Sequence, residues 1–481
     1  MIAGVGQDLR LLLPELLLTA WAFGLLGLGM SRALRHWTTP AGLVGCVVTG
    51  LVLWGLTAQA SGDGVILGGM LAWDPVTRFF KWFSLGVLVF VLLLARGDRG
   101  VQEEERGEYL CLLTLVVVGM MLLAAAHHFV LVILAMELIS MLSYLLVAFP
   151  RHDPRASEAA LKYFLFGAFT SGILLYGISL LYAATHTLDL GALRQAMEAA
   201  TGGQLTLVIL GVTLVLVGIG FKISMVPLHL WTPDAYEGAP IPVAALLSVG
   251  PKAAGFALLV RFLTASVGSH QPVWLPLVGG LAVLTMTFGN LVALAQTNMK
   301  RLLAYSTIAQ VGYLLIGVVA ADRLGYASVW FYLVAYLLMN CGAFAVVSVM
   351  TTVTGQETLE AYRGLAQRAP GLAALFAIFL LSLAGIPPLA GFLGKFFLFG
   401  AALSAQLSWL AVAGIINSVI ALYYYVNIIR LMYLQVPVEQ TPIAWPWSLR
   451  AATALAAVGT LILGLAPSRL LHAISRSLPA L

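Results

Sequence analysis

The chemistry open to this chain of 481 residues rests on its lysines. Of 25 basic side chains only six are lysine and nineteen are arginine, so arginine is the default cation here. Lys162, Lys222, Lys252 and Lys395 nevertheless stand inside apolar stretches. Arginine keeps its proton in a protein, whereas a lysine taken out of water can give its proton up. Lysine at such depth therefore points to proton handling. Lys222, Lys252 and Lys395 lie too deep to reach an aqueous edge, and a static buried ion pair is the competing role. Lys162 lies near the start of its run, four residues after Glu158, where a surface i,i+4 pair serves equally well. Arg78, Lys81 and Arg261 lie within about two turns of an end and can snorkel to the headgroups. Glu137, in LVILAMELISMLSYLL, is the one acid deep in a run, and its cost in a membrane falls if it pairs with a lysine. Glu15 lies nearer an end. His229, two residues after Pro227, can relay a proton near neutrality or simply hydrogen-bond at a helix end. His127 and His128 fall at a boundary and need no function.

The elements that must position these residues follow from composition. Hydrophobic residues make up 61 % and charged ones only 9 %, against about a quarter in soluble proteins. At roughly 20 helical residues per crossing, the apolar runs predict an all-α polytopic membrane protein of about fourteen helices. They lie near 9–30, 40–60, 75–95, 108–126, 129–149, 158–184, 205–231, 240–266, 275–297, 302–321, 324–350, 372–402, 407–434 and 449–466. The longest polar connections, Arg96–Glu108, Thr185–Gln204 and Thr351–Gly371, are too short for an extramembrane domain. The first run lacks a basic leader and a cleavage site, so it reads as a retained helix. Alternate loops collect thirteen basic residues, among them Arg32, Arg96, Arg151, Arg301 and Arg363, against five on the other side. The positive-inside rule places the first set in the cytoplasm and both termini outside.

Prolines mark where helices must break. Pro227 follows Lys222 by five residues, and Gly385 with Pro387–Pro388 precedes Lys395. Pro251 directly precedes Lys252. Each proline frees a backbone carbonyl, which at membrane depth needs protein or water beside it. Two broken spans, the seventh and twelfth, lie five apart and predict two inverted five-helix repeats. The divisions are then 1–107 for three N-terminal helices, 108–266 and 275–434 for the repeats as proton half-channels, and 435–481 for a last helix and tail. SMLSYLLVA at 140–148 faintly echoes AQVGYLLIG at 309–317. Cys46, Cys111 and Cys341 stand alone, so a metal or iron–sulfur site is not expected. No GxGxxG or phosphate loop is present, and no basic run suits nucleic acid.

PLHLWTPDAYEGAP after a buried lysine, AMELISMLSYLL and GIPPLAGFLGKF resemble the antiporter-like subunits of respiratory complex I and their multi-subunit cation/proton antiporter relatives. The likeness runs over spans four to thirteen. SEAALKYFLFGAFTSGILLYGISLLYAATHTLDL and the lysine of the twelfth span resemble the N-type branch. The M type usually carries Glu there, and the L type Lys followed by Asp, whereas Phe396 follows Lys395. The resemblance implies a proton-translocating membrane-arm subunit in the inner membrane, driven by NADH:quinone electron transfer in other subunits. It implies that Glu137 modulates Lys222 and that Lys162 lies on the lateral path. Lys252 would be the central lysine, Lys395 would pass the proton outward, and His229 would assist at the break. NADH, FMN, iron–sulfur clusters and quinone are expected in partner subunits, with no cofactor or metal in this chain. The M- and K-type subunits are expected as neighbours, together with lipid. A free-standing antiporter subunit, a hydrogenase-linked subunit and a purely structural spacer are the alternatives. Titratable lysine at helix breaks argues against a spacer, since arginine or asparagine can fix register.

Overall fold

The computed structural model describes residues 8–58, 63–98, 100–267, 271–437 and 443–478. The chain is an all-α polytopic bundle in which thirteen helices are long and apolar enough to cross a membrane. Two shorter helices, Pro370–Ala384 and Ala390–Ser404, follow one another through a break. Together they supply a fourteenth span among the described residues. The helices before the first break are α1 (Leu13–Met30), α2 (Thr38–Ala58), α3 (Pro75–Gly97), α4 (Arg106–Ala125), α5 (Phe129–Val147), α6 (Pro154–Thr185), the short α7 (Leu190–Glu198) and α8 (Gly203–Ile223). After it come α9 (Trp231–Gly238), α10 (Ile241–Ala265), α11 (Gln271–Ala293), α12 (Met299–Ala320) and α13 (Arg323–Thr354). Then follow α14 (Pro370–Ala384), α15 (Ala390–Ser404), α16 (Ser408–Leu434), α17 (Trp447–Leu465) and the short α18 (Ser468–Ser475).

Helices α10, α12 and α13 are enclosed on nearly every side, while α1, α2, α6 and α16 turn one face outward. Many of the outward side chains are large and apolar, Leu165, Phe169, Val419 and Tyr423 among them. This inside-and-outside apolarity suits a lipid solvent. Short polar side chains set the helix starts. Asp153 accepts from Arg155 N and begins α6 at Pro154, four residues before the apolar pattern does. Asp322 caps α13 in the same way.

Two features go beyond the apolar pattern. The connection before α3 holds an antiparallel hairpin, Gly64–Ile66 against Leu71–Trp73. Its Met70 carbonyl accepts from His127 N, tying it to the α4–α5 junction. The polar stretch 185–204 contains α7, capped by Asp189. At this same face Asp74 caps α3, accepting from Thr77 N at 2.7 Å, and clamps Arg261 of α10 at 2.6 and 3.1 Å. Burial alone would raise the Asp74 carboxyl; the Arg261 guanidinium and the Thr77 donors hold it below the ordinary range. Lys81 does not snorkel: it is buried and pairs with buried Glu15 at 2.8 Å.

Candidate functional site

The first break forms where α8 ends on Ser224 in the left-handed conformation (φ 65°), and the chain runs through Pro227 before α9 begins. The Phe221 carbonyl accepts from Ser224 N and from Trp231 Nε1, each at 3.1 Å, so the break closes on itself. Lys222, in the last turn of α8, is buried. Its Nζ donates to Ser140 Oγ of α5 at 2.9 Å and reaches the Met136 carbonyl at 3.5 Å. Glu137 lies on the same turn of α5 but is half-buried, and its carboxylate accepts from Ser171 Oγ of α6 at 2.5 Å. No direct ion pair joins Glu137 to Lys222 among the described residues. Glu137 turns to Ser171 of α6, while the lysine finds the hydroxyl one turn further along α5.

Helix α10 runs unbroken through Pro251, contrary to a simple break at every proline. The proline has no N–H for the carbonyl four residues back, which is Leu247. Lys252 Nζ takes that carbonyl at 3.2 Å and the Tyr236 hydroxyl at 2.9 Å, beneath the Trp231 ring at 5.0 Å. Freed backbone and buried cation thus satisfy each other. Lys222 packs beside α10 at Gly255, one turn from Lys252. A Cβ at Gly255 would lie 2.6 Å from Ile223 Cγ2 and 3.7 Å from Lys222 Cγ, so a side chain there would push the two lysine-bearing helices apart.

The second break repeats the theme with other partners. Helix α14 ends on Gly385 at φ 92°, and α15 starts at Ala390. Lys395 Nζ caps the end of α14 by donating to the Leu383 and Ala384 carbonyls, each at 3.1 Å, and lies over the Tyr313 ring at 4.4 Å.

Between Lys252 and Lys395 lies a buried polar row that the sequence reading did not single out. Thr307 lies on the Tyr236 side of this row and accepts from the Tyr336 hydroxyl at 2.8 Å. Tyr425 lies close enough to Tyr336 to interact electrostatically, and shares a 2.5 Å hydrogen bond with Ser306. Gln310 donates to the Tyr425 hydroxyl at 3.5 Å and to the Leu383 carbonyl at 3.3 Å, and accepts from Tyr332. Leu383 is also a Lys395 acceptor. Tyrosine and glutamine in apolar runs look like ordinary core packing. The usable signal was Thr307 and Gln310 three apart on α12, one face of an otherwise apolar helix.

Lys162 and His229 stand apart from this row. Lys162 is near-half exposed and pairs with Glu158 at 2.7 Å and Asp234 at 3.0 Å. Asp234 also takes Arg301 at 2.8 Å, and Arg301 takes Glu237 at 2.6 Å. These charges line a cavity of about 330 Å³ beside α9. His229 is buried edge-on against Phe288, its Nδ1 without a partner among the described residues. Among the described residues no group of three His, Cys, Asp or Glu side chains is placed to hold a metal.

Buried lysines at two broken spans, joined by a hydroxyl and amide row through an apolar bundle, place the chain among antiporter-like membrane proteins. Residues 126–421 match the family described as NADH:quinone oxidoreductase/Mrp antiporter, TM, and the chain belongs to that family. More particularly, it is 44 % identical over 408 residues to NADH-quinone oxidoreductase subunit N of Anaeromyxobacter sp., covering 79 % of each chain. Subunit N of Chloroflexus aggregans is 39 % identical with 98 % of each chain covered. A chain of respiratory complex I from Thermus thermophilus superposes with a TM-score of 0.81 at 34 % identity, covering 96 % of this chain and 99 % of that one.

Proposed function

We propose that this chain is the N-type, proton-translocating membrane-arm subunit of an NADH:quinone oxidoreductase. The observation that carries this reading is the buried row from Lys222 through Lys252, Tyr236, Thr307, Tyr336, Tyr425 and Gln310 to Lys395. The two five-helix repeats, 108–266 and 275–434, act as its half-channels.

Protons are taken up at the charged mouth of Lys162, Asp234, Glu237 and Arg301 and reach Lys252 by way of Tyr236. They pass along hydroxyls and amides, groups that can accept one proton while donating another, to Lys395 and the far side. Lysine rather than arginine suits this, because the carrier must be able to discharge. His229 assists at the break through water. Glu137 lies beside Leu134, Met141 and Leu145, large apolar side chains on the exposed side of α5. A neighbouring subunit that changes the carboxylate's surroundings there alters Lys222 without touching it. A K-type subunit is the neighbour on this side and an M-type subunit on the other. NADH, FMN, iron–sulfur clusters and quinone belong to partner subunits, and this chain has no redox centre. The membrane is the inner one, the arginine-rich face cytoplasmic, and both termini outside.

Purification of the tagged chain tests the assembly: co-purification of flavin and iron–sulfur subunits is expected, and recovery with antiporter subunits alone would overturn it. Proton uptake by vesicles during NADH oxidation tests the row. Lys252→Ala that pumps at the parental ratio of protons to electrons would remove it as the path.

A further inference from the structure

The arginine-rich face carries a second polar cavity, of about 550 Å³, between the end of α3, the start of α4 and the approach to α17. It plays no part in the lysine row. Arg96, Asp98, Glu103, Arg106 and Trp445 line it, so both signs of charge face one space. Asp98 is only 8 % exposed. Its Oδ1 accepts from Gly100 N at 2.8 Å, but Oδ2 is buried with no partner among the described residues. Arg106 Nε is equally unpartnered, although Arg106 approaches Glu103 at 3.8 Å. Behind Asp98 the fully buried Tyr109 hydroxyl is a third orphan that feels the carboxylate.

Three unsatisfied polar groups at one place are unusual, because a buried donor or acceptor left alone loses the hydrogen bonds water gave it. Burial pushes the Asp98 carboxyl up, against the pull of the Gly100 amide, Lys300 and Arg106, so a further cation beside it would be welcome. The cavity lies where one span ends and the next begins. Arg96 stacks on Trp447 and Arg450 on Trp445, each at 5.8 Å, in the manner of a membrane-surface belt.

We propose that this cavity binds the headgroup of an ethanolamine phospholipid. The phosphodiester lies between Arg96 and Arg106, which supply forked donors. The ammonium donates to the free Asp98 oxygen, with Glu103 at the rim. The pairing of charges selects the headgroup: a choline headgroup has no N–H to give Asp98, and a glycerol headgroup brings no cation. Because α3 and α17 frame the cavity, the lipid pins the last span to the N-terminal helices.

The test uses the assembled complex, stripped of loose lipid in detergent and exposed in turn to phosphatidylethanolamine, phosphatidylcholine, phosphatidylglycerol and inorganic phosphate. Bound lipid is counted by native mass spectrometry. The parent is expected to retain phosphatidylethanolamine about tenfold better than either other lipid, the worth of one charge-assisted hydrogen bond. Asp98→Asn should abolish the preference over phosphatidylcholine, and Arg106→Gln should lower retention of all three. Arg96→Gln reads the same phosphate contact should Arg106→Gln fail to assemble. Phosphatidylglycerol retained as well as phosphatidylethanolamine, with Asp98→Asn unchanged, would reduce the cavity to a plain anion site and overturn the proposal. So would displacement of the lipid by inorganic phosphate, or equal retention by parent and variants.

Discussion

The two broken spans solve one problem in different ways. At the first, the lysine precedes the break and leans on another helix, through the Ser140 hydroxyl and the Met136 carbonyl, with Glu137 close by and half-buried. At the second, the lysine follows the break and caps it, held by two carbonyls of its own span, with no carboxylate bonded to it among the described residues. A hydroxyl is a weak, rotatable partner, whereas two carbonyls at a helix end add the pull of the helix dipole. The first lysine is therefore open to outside influence through an acid on an exposed flank. The second is set by backbone and answers to whatever arrives along the row. On the proposed path, control and delivery thus fall at opposite ends.

Removing what the two ends share has the largest expected effect. Lys252→Ala should abolish proton translocation, at least tenfold against NADH oxidation in the same vesicles. Lys252→Arg should not restore it, because arginine keeps its proton. Full pumping with arginine would mean that only a fixed charge is needed there.

Breaking the asymmetry comes next. Glu137→Gln should cut pumping several-fold, and adding Lys222→Met should recover assembly without recovering pumping. A double variant that pumps like the parent would demote Glu137 to architecture. The same measurement on Lys395→Met, which has no acid to match, should show no variant that compensates it among neighbouring carboxylates.

Smaller effects sharpen the second end. Gly385→Ala forces a Cβ into the left-handed region and to 3.1 Å from Lys395 Cδ. Such a residue costs about 1–2 kcal/mol, so the complex should dissociate at lower temperature while the first break keeps its Glu137 response. Tyr425→Phe removes one hydroxyl from the row and leaves the ring, and a two- to threefold slowing of proton uptake is expected, about 0.5 kcal/mol in the barrier. An unchanged rate would route the path around Tyr425 by way of Tyr332 and Gln310.

Span number and break positions were legible because apolar length and proline are strong, local signals. Lysines were conspicuous for the same reason, as rare residues in the wrong solvent. What the sequence hid was partnership. Leu247 offers its carbonyl to Lys252 only because Pro251 lacks an N–H, yet α10 stays straight enough that no break results. Glu137 and Lys222 looked like a pair because both are deep charges, but side-chain direction on α5 decided otherwise. The tyrosines of α13 and α16 gave no sign, since their rings pack like any core aromatic and only tertiary structure aligns the hydroxyls. The hairpin at Gly64–Trp73 was too short to show a period of two.

The clamp of Asp74 on Arg261 bears on how tightly such a device can hold a gradient. Arg261 lies nine residues beyond Lys252 on α10, roughly 13 Å along the axis, and also donates to Thr77 and the Ala124 carbonyl. A guanidinium that keeps its own proton, neutralised by Asp74 and held by α3 and α4, is thus the group that a proton leaving Lys252 along α10 would meet on the proposed path. Sideways, toward Tyr236 and the second break, it meets only neutral dipoles. On the proposed path, that end of α10 offers no group able to take a proton from Lys252 and pass it on, so back-leak across the first repeat would be opposed without any moving part.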